Sequence, residues 1–228
     1  MVSPRFSDIG ACVFDLYGTL VDVNAAVNRH RERIGPKADA LAELWRRKQL
    51  EYSWLRTLMG RHADFWRVTA EALDHALDVS GISDATLRAD LMELYRTLDA
   101  YPEVAPTLAN LRKAGMPCAV LSNGAPGMLA SAIASAGIGP QLDAVLSVEA
   151  VGLYKPHPRV YRLAVDELGV PAHRIAFMSA NGWDIAGGAS FGFATVWINR
   201  AGLSEERLPF GPAATLGSLG GLPALLGL

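Results

Sequence analysis

Apolar and polar positions divide this chain into three stretches. The run Ala11-Cys12-Val13-Phe14 has strand character, delivers Asp15, and passes into a Gly18-Thr19 turn. A long block with helical periodicity and no strand follows. Leu41, Leu44, Trp45, Lys48, Tyr52, Leu55 and Leu58 fall at i, i+3, i+4, i+7 spacing, with Asp39 near the start. Asp64 precedes a second helix carrying Phe65, Val68, Ala72, Leu73 and Ala76, and Ser83 or Asp84 caps a third carrying Leu87, Leu91, Leu94 and Leu98. The block closes near Tyr101-Pro102.

From Pro102 the pattern alternates between helix and strand. A helix through Leu108 and Leu111 ends at Gly115, and Cys118-Ala119-Val120-Leu121 is a strand entering Ser122-Asn123-Gly124. Another helix ends at Gly137, before the run Ala144 to Val148. The segment from Arg159 to Leu168 is helical, Ile175 to Met178 is a strand opening onto Ser179, and Thr195 to Ile198 is the last strand. Such alternation predicts an α/β fold with a doubly wound, mostly parallel sheet, because parallel strands need helical crossovers. The first strand belongs with this sheet, so the helical block is an insertion. The Gly/Pro/Leu-rich tail from Leu208 is expected to wrap the surface around one short final element.

Composition narrows the partners. At 228 residues, half of them apolar, the chain can bury a full core, and a formal net charge of -2 leaves no footprint for nucleic acid or an anionic membrane. Cys12 and Cys118 both lie in apolar runs, which fits buried reduced thiols and a reducing compartment. With no signal-peptide pattern at the N-terminus and no apolar run near the ~20 residues of a membrane span, the expectation is a soluble cytoplasmic protein. The five histidines show no metal-ligand spacing.

The polar residues at strand ends carry the chemistry. Asp15 ends the first strand and Ser122 and Asn123 the second; Lys155 follows the third, and Ser179, Asn181 and Asp184 follow the fourth. Singly, each has a plain structural role: a helix cap for Asp15 or Asp184, a turn for Ser122-Asn123-Gly124, a solvated side chain for Lys155. In a parallel sheet all four ends converge on one edge, where open α/β sheets place their reacting groups. Tyr17 stands where a phosphatase built on this strand would carry a second aspartate. A departing alkoxide needs that acid, whereas a halide leaves without a proton and needs only a positive, donor-rich pocket. Arg46 is suited to such a pocket, although Arg47 and Lys48 beside it also fit a solvated helix face.

These residues resemble the haloacid dehalogenase superfamily, and within it the L-2-haloacid dehalogenases. The order Asp15, Ser122, Lys155, Asp184 carries the broader likeness. The narrower one rests on Leu44-Trp45-Arg46-Arg47-Lys48-Gln49-Leu50-Glu51-Tyr52, Tyr154-Lys155-Pro156, Val160-Tyr161 and Asn181-Gly182-Trp183-Asp184. The resemblance implies a Rossmann-like core over 1–21 and 101–228 and an inserted helical cap domain over 22–100. It implies hydrolytic dehalogenation of short-chain (S)-2-haloalkanoic acids to (R)-2-hydroxy acids, with no metal and no cofactor. In that scheme Asp15 is the nucleophile, supported by Thr19 and Lys155. Ser122 grips the substrate carboxylate, and Arg46, Asn123 and Trp183 cradle the halide. Asn181 with Ser179, Lys155 and Asp184 positions water, and Tyr161 hydrogen-bonds within that cluster. Leu16, Tyr17, Leu50 and Phe65 line the substrate. The implied partners are a small 2-haloacid and a second copy of the chain, as a homodimer. Ala180 and Arg47 depart from the family pattern, where a second serine and a glutamine are expected. A Mg²⁺-dependent phosphatase, a ring-opening hydrolase of a cyclic imino acid, and a binding protein without activity remain open alternatives on the residues alone.

Overall fold

A computed structural model describes residues 6–23 and 29–228. Its centre is a sheet of β1 (Ala11–Phe14), β2 (Cys118–Ser122), β3 (Ala144–Ser147), β4 (Ile175–Ser179), β5 (Ala194–Ile198) and β6 (Ala214–Leu216). The spatial order is β3-β2-β1-β4-β5-β6, and every pairing is parallel. β1, β2, β4 and β5 are buried along their whole length, as continuous apolar runs require when helices cover both faces. Cys12 and Cys118 are register partners on β1 and β2, both buried and both free.

Between β1 and the rest of the sheet lie α1 (Ala38–Met59), α2 (Phe65–Ser80) and α3 (Ala85–Leu94), preceded by a short turn at Arg31–Ile34. The Asp64 carboxylate accepts the Arg67 N–H at 2.9 Å and the Asp84 carboxylate the Leu87 N–H at 2.8 Å. Each satisfies a donor that a helix start leaves without a partner. Around the sheet are α4 (Val104–Lys113), α5 (Pro126–Ala136), α6 (Pro158–Leu168), α7 (Gly182–Phe191) and the terminal α8 (Leu222–Leu226).

Two expectations need correction. The apolar stripe read along α1 is buried at Leu41 and Trp45 but turns away from the core toward its C-terminal end. Burial follows Leu41, Trp45, Gln49 and Ser53, whereas Leu55 is 43 % and Leu58 82 % exposed. Past Trp45 the inner face of α1 meets Thr69 of α2, and hydrogen bonding instead of apolar contact buries Gln49 there. The tail also holds more than one element. Ala213 N–H donates to the Thr195 carbonyl and Asn199 N–H to that of Leu216, which adds β6 to the sheet before α8. A three-residue strand among Gly and Pro is too short to show alternation.

The strand order reverses at β1. The chain lays down β2 and β3 on one side and then crosses to β4, β5 and β6 on the other. The crevice outside the carboxyl ends of β1 and β4 is therefore the switch point where such sheets bind ligands.

Candidate active site

Asp15 stands one residue beyond β1, its backbone N–H donating to the Met178 carbonyl at 2.9 Å. The residue is 7 % exposed, and its carboxylate gathers three donors. Lys155 Nζ reaches Oδ1 at 3.2 Å, while Thr19 Oγ1 and Asn181 Nδ2 each reach Oδ2 at 3.1 Å. The donors come from the turn after β1, the loop before α6 and the loop after β4, so the three segments meet only in the folded sheet. Together they fix the plane of the carboxylate.

Behind Asp15 lies a buried charge cluster. Lys155 Nζ also donates to Asp184 Oδ2 at 2.8 Å, and Tyr161 Oη donates to Asp184 Oδ1 at 2.8 Å. Lys155 is 1 % exposed and Asp184 fully buried. Burial alone would lower the lysine pKa, but the two carboxylates outweigh it and hold the value above that of an ordinary lysine, so the group stays an ammonium. Burial raises the Asp184 carboxyl; Lys155 opposes that shift and Asp15 adds to it. Burial, followed by the charge of Asp184, pushes the Tyr161 phenol well above its usual range, which keeps it a neutral donor.

The loops are braced with equal economy. Thr19 Oγ1 accepts the Ala180 N–H at 2.9 Å while donating to Asp15. Ser179 Oγ accepts the Asn181 N–H at 3.1 Å, Ser122 Oγ the Gly124 N–H at 3.1 Å, and Asn123 Oδ1 the Lys155 N–H at 3.1 Å. Ser179 thus reaches the reaction space through the loop it shapes, whereas Thr19 both braces that loop and touches Asp15 directly.

In front of Asp15 is a small chamber of about 20 Å³, lined by Asp15, Tyr17, Arg46, Phe65, Ser122, Asn123, Asn181 and Trp183. All eight are among the residues expected at the site, drawn from the insertion and the sheet edge, with Asn181 as the one expected to place water. Leu16 is fully buried and Leu50 partly buried, and neither lines the chamber. A larger adjoining cavity of about 230 Å³ shares Tyr17, Arg46 and Asn181 with it, so those side chains form the partition. Burial raises the Tyr17 pKa, and its hydroxyl is turned to the Tyr95 carbonyl at 3.5 Å. The ring of Trp183 meets that of Trp54 edge-on at 5.4 Å.

The cations of α1 separate by partner. Arg47 pairs with Glu43 and Lys48 with Glu51 on the outside of the helix. Arg46 turns inward, donating to Gln49 Oε1 at 2.7 Å and reaching Asn181 Oδ1 at 3.5 Å. Gln49, which takes that hydrogen bond, and Thr69, which bonds to Gln49 in turn, escaped the sequence reading because a polar residue inside a helical stripe carries no local signal of burial. Among the described residues no three His, Cys, Asp or Glu side chains converge as a metal site. The arrangement can hold an anion against Arg46 while an electrophilic carbon faces Asp15.

Comparison with known proteins supplies an independent view. A family model described as haloacid dehalogenase-like hydrolase matches residues 9–192. The chain is 49 % identical over 220 residues to (S)-2-haloacid dehalogenase 1 of Pseudomonas sp. (strain CBS-3), covering 96 % of each. It is 49 % identical over 197 residues to (S)-2-haloacid dehalogenase 4A of Burkholderia cepacia, covering 86 % of this chain and 85 % of the other. The solved structure of L-2-haloacid dehalogenase from Xanthobacter autotrophicus with chloropropionic acid covalently bound superposes with a TM-score of 0.90 at 38 % identity, covering 96 % of this chain and 98 % of that one.

Proposed function

The chain belongs to the haloacid dehalogenase-like hydrolases, and on that footing we propose that it hydrolyses short-chain (S)-2-haloalkanoic acids to (R)-2-hydroxy acids through an ester on Asp15. The observation that carries the reading is the pairing of one oriented carboxylate with an inward guanidinium across a small chamber, with a tyrosine at position 17 where a leaving alkoxide would need an acid.

The substrate carboxylate lies against Ser122 and the backbone N–H groups beside it, which sets C2 in line with Asp15. An Asp15 oxygen attacks C2 from the face opposite the halogen; the C–O bond forms as the carbon–halogen bond breaks, and the electron pair leaves with the halide. Arg46, Asn123 and Trp183 receive that halide, the guanidinium supplying charge where charge develops. Water placed by Asn181, Ser179 and Lys155 then attacks the ester carbonyl, and the Cγ–O bond to the product breaks. The hydroxy acid leaves with the oxygen that attacked C2 and one of the water's protons, the other proton passes to solvent, and the water's oxygen stays in the Asp15 carboxylate. Lys155 supports the carboxylate in both steps, with Asp184 and Tyr161 fixing the ammonium. One displacement at C2 inverts the centre. The reaction needs no metal: Lys155 already supplies the cation between the two carboxylates.

The helices within 22–100 act as the cap and the segments 1–21 and 101–228 as the core, residues 1–5 and 24–28 of these spans lying outside the described residues. We assign the enzyme to the cytoplasm, where Cys12 and Cys118 stay reduced; no helix of the described residues is long and apolar enough to cross a membrane. It acts as a homodimer, and the exposed Leu55, Leu58 and Met59 of α1 supply an apolar face for the second copy.

Halide release tests the activity. (S)-2-Chloropropionate should release chloride and yield (R)-lactate, while the (R)-acid and p-nitrophenyl phosphate with Mg²⁺ should turn over far more slowly. Phosphate release as the faster reaction would replace this reading with the phosphatase.

A further inference from the structure

The Arg46 guanidinium is held by a neutral partner buried inside the cap. Gln49, one turn further along α1, is fully buried, and its Oε1 accepts from Arg46 Nη1 at 2.7 Å. Tyr95 Oη also donates to that oxygen, at 3.4 Å. The other end of the amide is tied to α2: Gln49 Nε2 donates to Thr69 Oγ1 at 2.7 Å, and the Thr69 hydroxyl donates to the Phe65 carbonyl at 2.6 Å.

Proton counting fixes this relay in one direction. The Thr69 hydroxyl has one proton, and the Phe65 carbonyl can only accept it. Its lone pair therefore takes a proton from Gln49, which turns the NH₂ group toward Thr69 and leaves the oxygen facing Arg46 and Tyr95. The reversed amide would set NH₂ against a guanidinium and strand the Thr69 lone pair in a dry interior. The last link is Phe65, which lines the reaction chamber together with Arg46.

The amide also leaves the charge of Arg46 unspent. Among the described residues Arg46 enters no salt bridge, whereas its neighbours Arg47 and Lys48 each pair with a glutamate. A carboxylate at position 49 would orient the guanidinium equally well but would neutralise the charge that meets the departing halide.

We propose that Gln49, locked by Thr69, is a positioning residue that aims the Arg46 guanidinium at the leaving halide without neutralising it. The inference deepens the reading above and rests on it, since it takes Arg46 as the halide-facing cation. Its signature is leaving-group discrimination. Chloride departs less readily than bromide and depends more on Arg46, so loss of aim should penalise the chloro acid more.

The test measures kcat/KM for (S)-2-bromopropionate and (S)-2-chloropropionate, a ratio from which any unfolded fraction cancels. Gln49→Met keeps the bulk and loses the acceptor; it should raise the bromo-to-chloro ratio about tenfold, the scale of one charge-assisted hydrogen bond. Gln49→Glu should raise it as well, through neutralisation. Thr69→Val should raise it a few-fold, and Thr69→Ser, which keeps the hydroxyl, should restore the wild-type ratio. Arg46→Lys separates the two levels of the argument. If it raises the ratio while Gln49→Met does not, the role of Gln49 is overturned and that of Arg46 stands. If Arg46→Lys leaves the ratio unchanged, the halide-facing role of Arg46 fails, and the positioning role falls with it. A wild-type ratio in Gln49→Glu would overturn the claim that charge is spared.

Discussion

Replacing Lys155 by methionine removes the single cation between Asp15 and Asp184 while keeping the unbranched stem that fills its channel. In the wild type one ammonium meets both carboxylates, at 3.2 and 2.8 Å, and both ends of the Lys155–Asp184 pair are shielded from water. Removing one partner of such a pair strands the other charge, at a cost of about 3–5 kcal/mol. For a chain of this size that lowers Tm by about 6–20 °C. The sign of the pH dependence follows from Asp184. Its pKa is already raised by burial and rises further without the ammonium. The native variant then binds a proton more tightly than the unfolded chain, so its stability increases as pH falls toward the ordinary carboxylate range. The wild-type lysine, its pKa raised by the same carboxylates, gives its full stabilisation below the unfolded lysine value and loses it only as pH climbs through the higher native one. The deficit of Lys155→Met should therefore be largest near about pH 7.5 and shrink toward about pH 5.5. Denaturant unfolding of both proteins at the two pH values, followed by tryptophan fluorescence, reads it directly. An unchanged midpoint at neutral pH, or a deficit that does not shrink on acidification, would refute the account of the charge cluster.

Arg46→Lys keeps the charge but loses the planar fork that meets Gln49 and Asn181, and dehalogenation should fall by about a hundredfold or more with the fold intact, each tenfold being about 1.4 kcal/mol; near-normal turnover would remove the guanidinium from the chemistry. Tyr161→Phe withdraws a buried donor from Asp184 and should cost about 1.5–3 kcal/mol in denaturant unfolding, the usual loss for a hydrogen bond to a charged group; wild-type stability would show that the hydroxyl carries no weight. Exhaustive chelation should leave turnover unchanged, and added Mg²⁺ should not raise it; activity that returns only with metal would favour the phosphatase. Leu55→Glu on the exposed face of α1 should shift the protein from dimer to monomer in sedimentation, whereas a dimer that persists unchanged would place the interface elsewhere.

Much of the catalytic layer was legible because it sits at strand ends, where the backbone does the positioning. Asp15, Ser122 and Ser179 each close an apolar run, and a parallel sheet brings such ends to one edge whatever the helices do. The caps of α2 and α3 were readable for a similar reason: Asp64 and Asp84 act on N–H groups three residues ahead. The inner face of α1 was not legible. Its burial past Trp45 depends on hydrogen bonds to Thr69, a residue twenty positions on from Gln49, and no periodicity of hydrophobic side chains records such a contact. For the same reason Leu55 and Leu58 fell on the expected stripe and yet face outward. β6 escaped because its place comes from pairing with β5, not from its own three residues.

The central claim is that Asp15 itself attacks carbon and that water later attacks the resulting ester. The measurement that tests it most directly is a single turnover of (S)-2-chloropropionate in H₂¹⁸O with enzyme in excess, followed by mass analysis of lactate and of the peptide containing Asp15. The account predicts (R)-lactate without label and one ¹⁸O in the Asp15 carboxylate. Labelled lactate with an unlabelled Asp15 would mean that water displaced the halide at C2, and the account would be wrong.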